Sequence, residues 1–154
     1  NWSQGFNVTP NVGRLLEALD SERLAIAAQL GVSVRTIFEH FHLSFHVPVA
    51  SISAMNQAMH KQGNGGTGPA TAQSRYVIED VPYGLVLTAK LGDMVGQPAK
   101  LHKAGIEIFS AMYGRDFLQE NTLLDSIGLD DLSLSSLQAL AQSGYMKTPA
   151  SNTK

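Results

Sequence analysis

The sequence contains no cysteine, which excludes disulfide bonds, thiolate catalysis and zinc sites built on cysteine. It contains no run of about 20 apolar residues, the length that a membrane-spanning helix needs. A basic segment followed by an apolar one, the pattern of a signal peptide, is also lacking at its start. These absences predict a cytoplasmic protein with no membrane partner.

Charge of either sign is scarce, and basic residues form no cluster. Eleven Lys and Arg residues stand against thirteen Asp and Glu residues, which gives a net charge of −2. Since proteins bind nucleic acids largely by neutralising phosphates, this balance predicts no nucleic-acid partner. With 154 residues, of which 44% are hydrophobic, the chain is long enough to bury a core without disulfide bonds.

Strand patterns are lacking as well, because no segment shows sustained alternation of apolar and polar residues. Apolar residues recur instead with a helical period over most of the chain. This periodicity predicts an all-α fold of six or seven helices joined by short loops. The predicted helices cover about residues 10–30, 34–47, 49–61, 81–95, 98–113, 122–127 and 133–142.

Several helix ends and faces can be predicted from single residues. Thr9, before Pro10, is predicted to cap the first helix and Gly31 to end it, and Ser33 is predicted to cap the second. The stretch 81–95 is apolar on nearly every side, so we expect its helix to be buried at the centre of the domain. In the next helix one apolar stripe is predicted to face the core: Leu101, Ala104, Gly105, Ile108, Phe109 and Met112.

A glycine-rich segment, residues 62–69, is predicted to form an exposed loop. Part of it, residues 63–68, matches the letters of the G-x-G-x-x-G dinucleotide motif. That motif requires a strand before it and a helix directly after it, so that the pyrophosphate meets a helix N-terminus. Here a helical segment precedes the glycines and Pro69 follows them, so we interpret the segment as a flexible loop and not as a phosphate site.

Three histidines, His40, His42 and His46, lie close together in the second predicted helix. The last two have the i, i+4 spacing that can hold a metal on one helix face. No carboxylate lies between them in the position of a catalytic base, and phenylalanines interleave with all three. We therefore predict a structural, half-buried role for these histidines and no metal site.

Arg23 falls on the apolar face of the first helix, four residues after Leu19. A buried cation needs a partner, and Asp20 lies within reach, three residues earlier. Two interpretations stay open. Arg23 forms a partly buried ion pair with Asp20, or it faces a ligand cleft.

The densest polar cluster lies between the glycine-rich loop and the central apolar helix. Asp80 could cap that helix, where the helix dipole favours a carboxylate, or it could orient an imidazole. Arg75 could pair with Glu79, four residues later, or bind a phosphate or carboxylate through its fork of N–H groups. Residue chemistry alone leaves these alternatives open. The cluster has the sequence Ser74-Arg75-Tyr76-Val77-Ile78-Glu79-Asp80-Val81-Pro82-Tyr83-Gly84.

This cluster resembles the R-Y-x-x-E-D-V-P-Y-x-L-V motif of the opine dehydrogenases (octopine and nopaline type), in their C-terminal α-helical domain. Further similarities lie on both sides of it and together cover about residues 5–140. The matching residues are Arg75-Tyr76, Glu79-Asp80-Val81-Pro82-Tyr83 and Leu85-Val86 in the motif, and Leu19-Asp20-Ser21-Glu22-Arg23, Ala25-Ile26-Ala27 and Leu30-Gly31 in the family's L-D-x-E-R helix. The stretch from Asp116-Phe117 through Thr122-Leu123-Leu124 to Gly128-Leu129 resembles the end of that domain.

The resemblance implies an NAD- or NADP-dependent oxidoreductase that condenses an amino acid with a 2-oxo acid and reduces the imine. It implies an active site between an N-terminal Rossmann domain and this helical substrate domain. Asp80 resembles the acidic residue that orients and charges the family's catalytic histidine. Arg75 resembles the arginine that meets the cofactor's phosphates. His40, His42 and His46 do not match the catalytic histidine, which the resemblance places before this chain.

We therefore expect residues 1–154 to form one helical domain, with an ordered core at about residues 5–145, a tail at 146–154 and no Rossmann domain. The chain alone is expected to be inactive. Its expected partners are the amino acid, the 2-oxo acid and its own Rossmann domain, and the apolar central helix would suit a homodimer. Two other functions stay open: a non-enzymatic helical interaction domain, and a related two-domain reductase of another 2-oxo acid.

Overall fold

The structure, a computed structural model, describes residues 2–144. Over that range it is helical, with one isolated β-bridge between Ser3 and Thr67 and no strand, which confirms the all-α prediction. A π-helical turn, Val81–Leu85, leads into the fifth helix, and a 3₁₀ turn, Leu129–Asp131, follows the seventh. The α-helices are α1 (Pro10–Gln29), α2 (Ile37–Phe45), α3 (Ile52–Lys61), α4 (Arg75–Ile78), α5 (Val86–Met94), α6 (Lys100–Tyr113), α7 (Thr122–Ser126) and α8 (Leu134–Ser143).

The chain divides into two compact units. The first, residues 2–120, holds α1 to α6. The second begins at residue 121 and holds α7 and α8, and its buried apolar residues are Leu124 and Leu129. No helix among residues 2–144 combines the length and the apolar character needed to cross a membrane. The predicted tail, 146–154, lies outside the described residues.

The predicted first helix is confirmed at both ends, whereas the next two begin later than predicted. Thr9 accepts a hydrogen bond from the Val12 N–H, and α1 ends just before Gly31, whose φ is +72°. The cap of α2 is Thr36 and not Ser33. Thr36 Oγ1 accepts from the Glu39 N–H at 3.0 Å, while the Glu39 carboxylate accepts from the Thr36 N–H at 2.8 Å. This reciprocal capping box starts the helix three residues after the predicted position.

Two carboxylates of α1 cap the N-termini of neighbouring helices. Glu17 Oε1 accepts a hydrogen bond from the Ile52 N–H, the first of α3, at 2.8 Å. Asp20 Oδ2 accepts from the Ile37 N–H, the first of α2, at 2.9 Å. The first N–H groups of a helix have no partner within the helix, and its dipole favours negative charge there. The polar side of α1 is therefore joined by hydrogen bonds to the N-termini of α2 and α3.

Glu22 extends this arrangement to α6, which has no capping side chain of its own. Its two oxygens accept from the Leu101 N–H at 2.8 Å and the His102 N–H at 3.2 Å, and Oε2 also lies 2.8 Å from His102 Nδ1. Burial disfavours the charged carboxylate and raises the pKa of Glu22. The hydrogen bonds from His102 and Leu101 favour the charged form more strongly, so the pKa of Glu22 is lowered from its usual value.

One cluster of the first unit's core forms where α3 packs against α1 and α2. Val47, Ile52, Met55 and Met59 are buried together there, and phenylalanines of α2 pack against them. Gly13 allows α1 to cross α3 closely, since a Cβ at that position would lie 2.8 Å from the Ser53 nitrogen. The interleaved phenylalanines of α2 therefore serve the core, as expected.

The central helix is less buried than predicted. One face of the stretch is buried, through Val81, Val86, Ala89 and Gly92, while Tyr83 is exposed. The stretch also changes from a π-helical turn to an α-helix at residue 86. The extra residue in the π turn rotates the preceding side chains relative to α5, so a constant helical period cannot describe both parts.

The apolar stripe predicted for α6 points mostly to solvent, and this prediction was wrong. Ile106 is 1% exposed, whereas Ile108 is 58% and Met112 is 69% exposed. His102 lies on the buried face beside Ile106 because it bonds Glu22. Hydrophobic periodicity places a histidine on the polar side of a helix. It cannot show that a carboxylate on another helix forms a hydrogen bond with that histidine and so allows its burial.

The orientation of α6 can be tested with two matched substitutions. Ile106→Ala should lower the free energy of unfolding by about 2–5 kcal/mol, because it removes fully buried methyl groups. Ile108→Ala should change it by less than about 0.5 kcal/mol, as at other exposed positions. Urea denaturation of both variants measures the difference. Equal losses, or a larger loss at Ile108, would show that the sequence-predicted stripe is the buried one.

A second test concerns the cap on α6. Glu22→Gln keeps the size of the side chain but removes its charge, so we expect a loss of about 1–3 kcal/mol at neutral pH. Since the folded-state pKa of Glu22 is lowered from 4.5, its contribution is present above that value and lost as the pH falls through the folded-state pKa. The stability difference between the wild type and Glu22→Gln should therefore shrink below about pH 4.5.

Urea denaturation at about pH 7 and about pH 3.5 measures this difference. Glu107→Gln, which removes an exposed carboxylate on α6, the helix that Glu22 caps, is the control and should cost little at either pH. A deficit of Glu22→Gln that stays constant between the two pH values would contradict an ionised cap.

Candidate functional site

The polar cluster predicted from the sequence lies at the junction of α4 and the π-helical turn. Arg75 opens the single turn of α4 and pairs with Glu79, as one of its two alternatives predicted. Its Nε and Nη2 donate to the same oxygen, Glu79 Oε2, at 3.2 and 3.0 Å. The Arg75 side chain is 79% exposed. A guanidinium carries five N–H groups, so three stay available to a ligand.

Asp80 does not cap the helix that follows, so this part of the prediction was wrong. Its backbone is already helical, with φ −70° and ψ −29°, and its side chain makes no capping hydrogen bond. A capping residue normally has an extended backbone. Among residues 2–144 the Asp80 carboxylate has no hydrogen-bond or ion-pair partner, and the residue is exposed. The group is therefore available to a partner outside this part of the chain.

Buried neighbours follow the exposed Asp80. Val81 and Pro82, directly after Asp80, are both buried, and the Tyr83 N–H donates to the Glu79 carbonyl at 3.0 Å. Single π-helical turns adjoining α-helices are frequent at functional sites. The Asp80 carboxylate thus lies directly before a turn whose first two residues are buried, and Arg75 lies at the start of the short helix before it.

The glycine-rich loop does not have the surroundings of a dinucleotide motif. It follows α3, and no helix begins until Arg75. Its backbone pairs instead with the start of the chain, where Gly5 N–H donates to Gly65 O and Gly68 N–H donates to Trp2 O. A Cβ on Gly68 would lie 2.0 Å from the Trp2 ring, so that glycine is needed for packing. No local pattern of residues predicts this pairing.

The three histidines of α2 have structural contacts, but all three are exposed, so the predicted half-buried setting was wrong. His42 Nδ1 lies 2.9 Å from the Val47 carbonyl, and His46 ends the helix with a left-handed backbone. The His40 ring lies against the rings of Phe41 and Phe45. Within residues 2–144 no group of three or more His, Asp or Glu side chains is placed to hold a metal ion.

Arg23 both forms an ion pair with Asp20 and lines a cavity, so each of its two predicted alternatives is met in part. Its Nε and Nη2 donate to Asp20 Oδ1 at 3.0 and 2.6 Å, so the predicted ion pair forms. Arg23 also lines an open cavity of about 630 Å³, together with Asp20 and His102. Sequence analysis missed His102 and its partner Glu22, because the two lie 80 residues apart and no local pattern joins them.

Comparison with known proteins identifies the family. Residues 2–113 match the family described as "NAD/NADP octopine/nopaline dehydrogenase, alpha-helical domain", a region that contains both Arg75 and Asp80. The chain is 32% identical over 135 residues to an opine dehydrogenase from Arthrobacter sp. (strain 1C). That alignment covers 88% of this chain and 37% of the relative, so the chain spans little more than a third of its relative's length. The chain belongs to the octopine/nopaline dehydrogenase family and corresponds to its α-helical domain.

Proposed function

We propose that this chain provides the substrate-binding and catalytic helical domain of an NAD- or NADP-dependent opine dehydrogenase. The reaction joins the amino group of an amino acid to the carbonyl carbon of a 2-oxo acid, with loss of water. A hydride and a proton then reduce the imine to a secondary amine. Membership of the family supports the dehydrogenase activity. The observation that carries the assignment of the site is the exposed Asp80 carboxylate, which has no partner among residues 2–144 and follows Arg75 by five residues.

Asp80 acts as a positioning residue in this proposal. Its carboxylate accepts the N–H of an imidazole supplied by the rest of the enzyme, and its negative charge favours the protonated ring. An imidazolium held in this way can give a proton to the substrate and later regain it. The role requires an ionised carboxylate without a competing cation, which fits Asp80 because Arg75 is bonded to Glu79 instead.

Arg75 fits the phosphates of the dinucleotide. Its three remaining N–H groups form a planar fork that matches phosphate oxygens, and its exposure leaves room for the ligand. The nicotinamide, when bound, supplies the hydride. We place most of the dinucleotide site in an N-terminal Rossmann domain outside this chain. Residues of that domain would also determine the choice between NAD and NADP.

The experiment replaces Asp80 by Asn and Arg75 by Lys in the full-length gene product. Asp80→Asn should lower kcat by about 10²- to 10⁴-fold, since an amide cannot stabilise an imidazolium by charge. Its stability should change by less than about 0.5 kcal/mol, because the side chain is exposed and makes no cap. Arg75→Lys should mainly raise the KM for the dinucleotide, because a point charge replaces a fork of donors.

The matched control is Asp93→Asn, which removes another exposed carboxylate, on α5, that pairs with Lys103. It should leave kcat within about twofold of the wild type, since a surface ion pair contributes little. Wild-type turnover by Asp80→Asn would contradict the proposed role of Asp80. An equal loss in Asp93→Asn would mean that the Asp80 effect is not specific.

A further inference from the structure

Asn64, in the glycine-rich loop, differs from the other asparagines of residues 2–144 in the state of its side chain. Its carboxamide has no hydrogen-bond partner within that range, and the residue is exposed. It is also followed directly by a glycine, Gly65. The other asparagines of that range precede larger residues, and each holds its carboxamide in a hydrogen bond: Asn7, Asn11, Asn56 and Asn121. The Asn64 side chain is therefore free to turn toward the backbone that follows it.

The backbone N–H of Gly65 is free as well. The loop pairs with the start of the chain through the Gly65 carbonyl, which accepts a hydrogen bond from the Gly5 N–H at 2.8 Å. The Gly65 N–H itself donates to no acceptor among residues 2–144. A hydrogen bond there would retain the proton that this nitrogen has to lose before it can act as a nucleophile. Glycine also has no Cβ to crowd the preceding side chain.

We propose that Asn64 is a site of spontaneous deamidation in the folded protein. The Gly65 nitrogen attacks the side-chain carbonyl carbon of Asn64 and forms a cyclic imide, and ammonia leaves with the proton of the Gly65 N–H. Water then opens the ring. Attack of water on the side-chain carbon gives an aspartyl residue, and attack on the main-chain carbon gives an isoaspartyl residue, whose backbone runs through the former side chain. The reaction needs only water, so it does not depend on the proposed dehydrogenase activity.

The isoaspartyl product would disturb the pairing between the loop and the start of the chain. It adds one carbon to the main chain and a negative charge directly before Gly65. The next residues of the loop are paired, since Gly66 O accepts from the Gln4 N–H at 3.3 Å and the Gly68 N–H donates to Trp2 O at 2.9 Å. Extra main-chain length on one side of a paired segment disrupts the pairing locally. We therefore expect residues 2–5 to be held less firmly after the modification.

Peptide mapping by mass spectrometry tests the site on the 154-residue chain, kept folded in mildly alkaline buffer. Trypsin releases residues 62–75, in which Asn64 is the one asparagine, and deamidation raises the mass of this peptide by the difference between an acid and an amide. We expect its conversion to be within about tenfold of the rate in a free synthetic peptide of residues 60–70, because the loop need not unfold to react. Slower conversion than this would overturn the proposal.

Two controls show whether the reaction is specific to Asn64. The peptides that contain Asn56 and Asn121 should stay unconverted in the same digest, and conversion equal to that of Asn64 would overturn the assignment. Asn64→Gln should remove the mass change from the peptide of residues 62–75, because a glutamine closes the larger ring far more slowly. A mass change that persists in Asn64→Gln would refute the site. Gly65→Ala is unsuitable, since its Cβ would lie 2.9 Å from His60 Cα.

Hydrogen exchange of the Gly5 and Gly68 amides tests the effect on the pairing. Both amides should exchange at least about tenfold faster in the isoaspartyl protein than in the unmodified protein. The control is Asn64→Asp, which adds the charge without lengthening the backbone, and its exchange should stay within about twofold of the unmodified protein. Unchanged exchange in the isoaspartyl protein, or equal acceleration in Asn64→Asp, would contradict a disturbance caused by the longer backbone.

Discussion

Three carboxylates of α1 cap the N-termini of three other helices, and the first unit depends on these hydrogen bonds. Glu17, Asp20 and Glu22 lie within six residues, yet they bond the starts of α3, α2 and α6. Each bond satisfies an N–H that no intrahelical carbonyl can reach and places negative charge at the positive end of a helix. Apolar packing is nondirectional, whereas these bonds fix which residue of each helix comes nearest to α1.

The same constraint decides what the surrounding residues can do. By holding the first turn of α6, Glu22 places His102 and Ile106 inward and leaves Ile108 and Met112 exposed. Asp20 also pairs with Arg23, so the carboxylate that caps α2 has a cation beside it. Around the π-helical turn, by contrast with the carboxylates of α1, a carboxylate stays exposed. Val81 and Pro82 are buried, while Asp80 is left without a partner among the described residues. An unpaired carboxylate on an anchored turn contributes little to stability and is available for a functional contact.

Features set by neighbouring residues were predictable from the sequence, and features set by distant partners were not. The Thr9 cap, the end of α1 before Gly31 and the Asp20–Arg23 pair need only residues a few positions apart, and all three are confirmed. The orientation of α6 depends on Glu22, which lies 80 residues before His102, so hydrophobic periodicity gave the wrong face. In the polar cluster the Arg75–Glu79 pair, which was one of the two alternatives, is confirmed. The π-helical turn after Asp80, and the missing cap there, could not be predicted from the sequence. The family itself followed from a long gapless motif, and the match over residues 2–113 confirms it.

We propose that this domain serves an enzyme that joins an amino acid to a 2-oxo acid before it reduces the resulting imine. The most direct measurement is the oxidation of reduced nicotinamide dinucleotide by the full-length gene product, with an amino acid and a 2-oxo acid supplied separately and together. We expect oxidation only when both are present, with a secondary amine as product, because the reducible imine forms only from the two. Oxidation of comparable rate with the 2-oxo acid alone, giving the hydroxy acid, would identify a simple reductase and contradict the account.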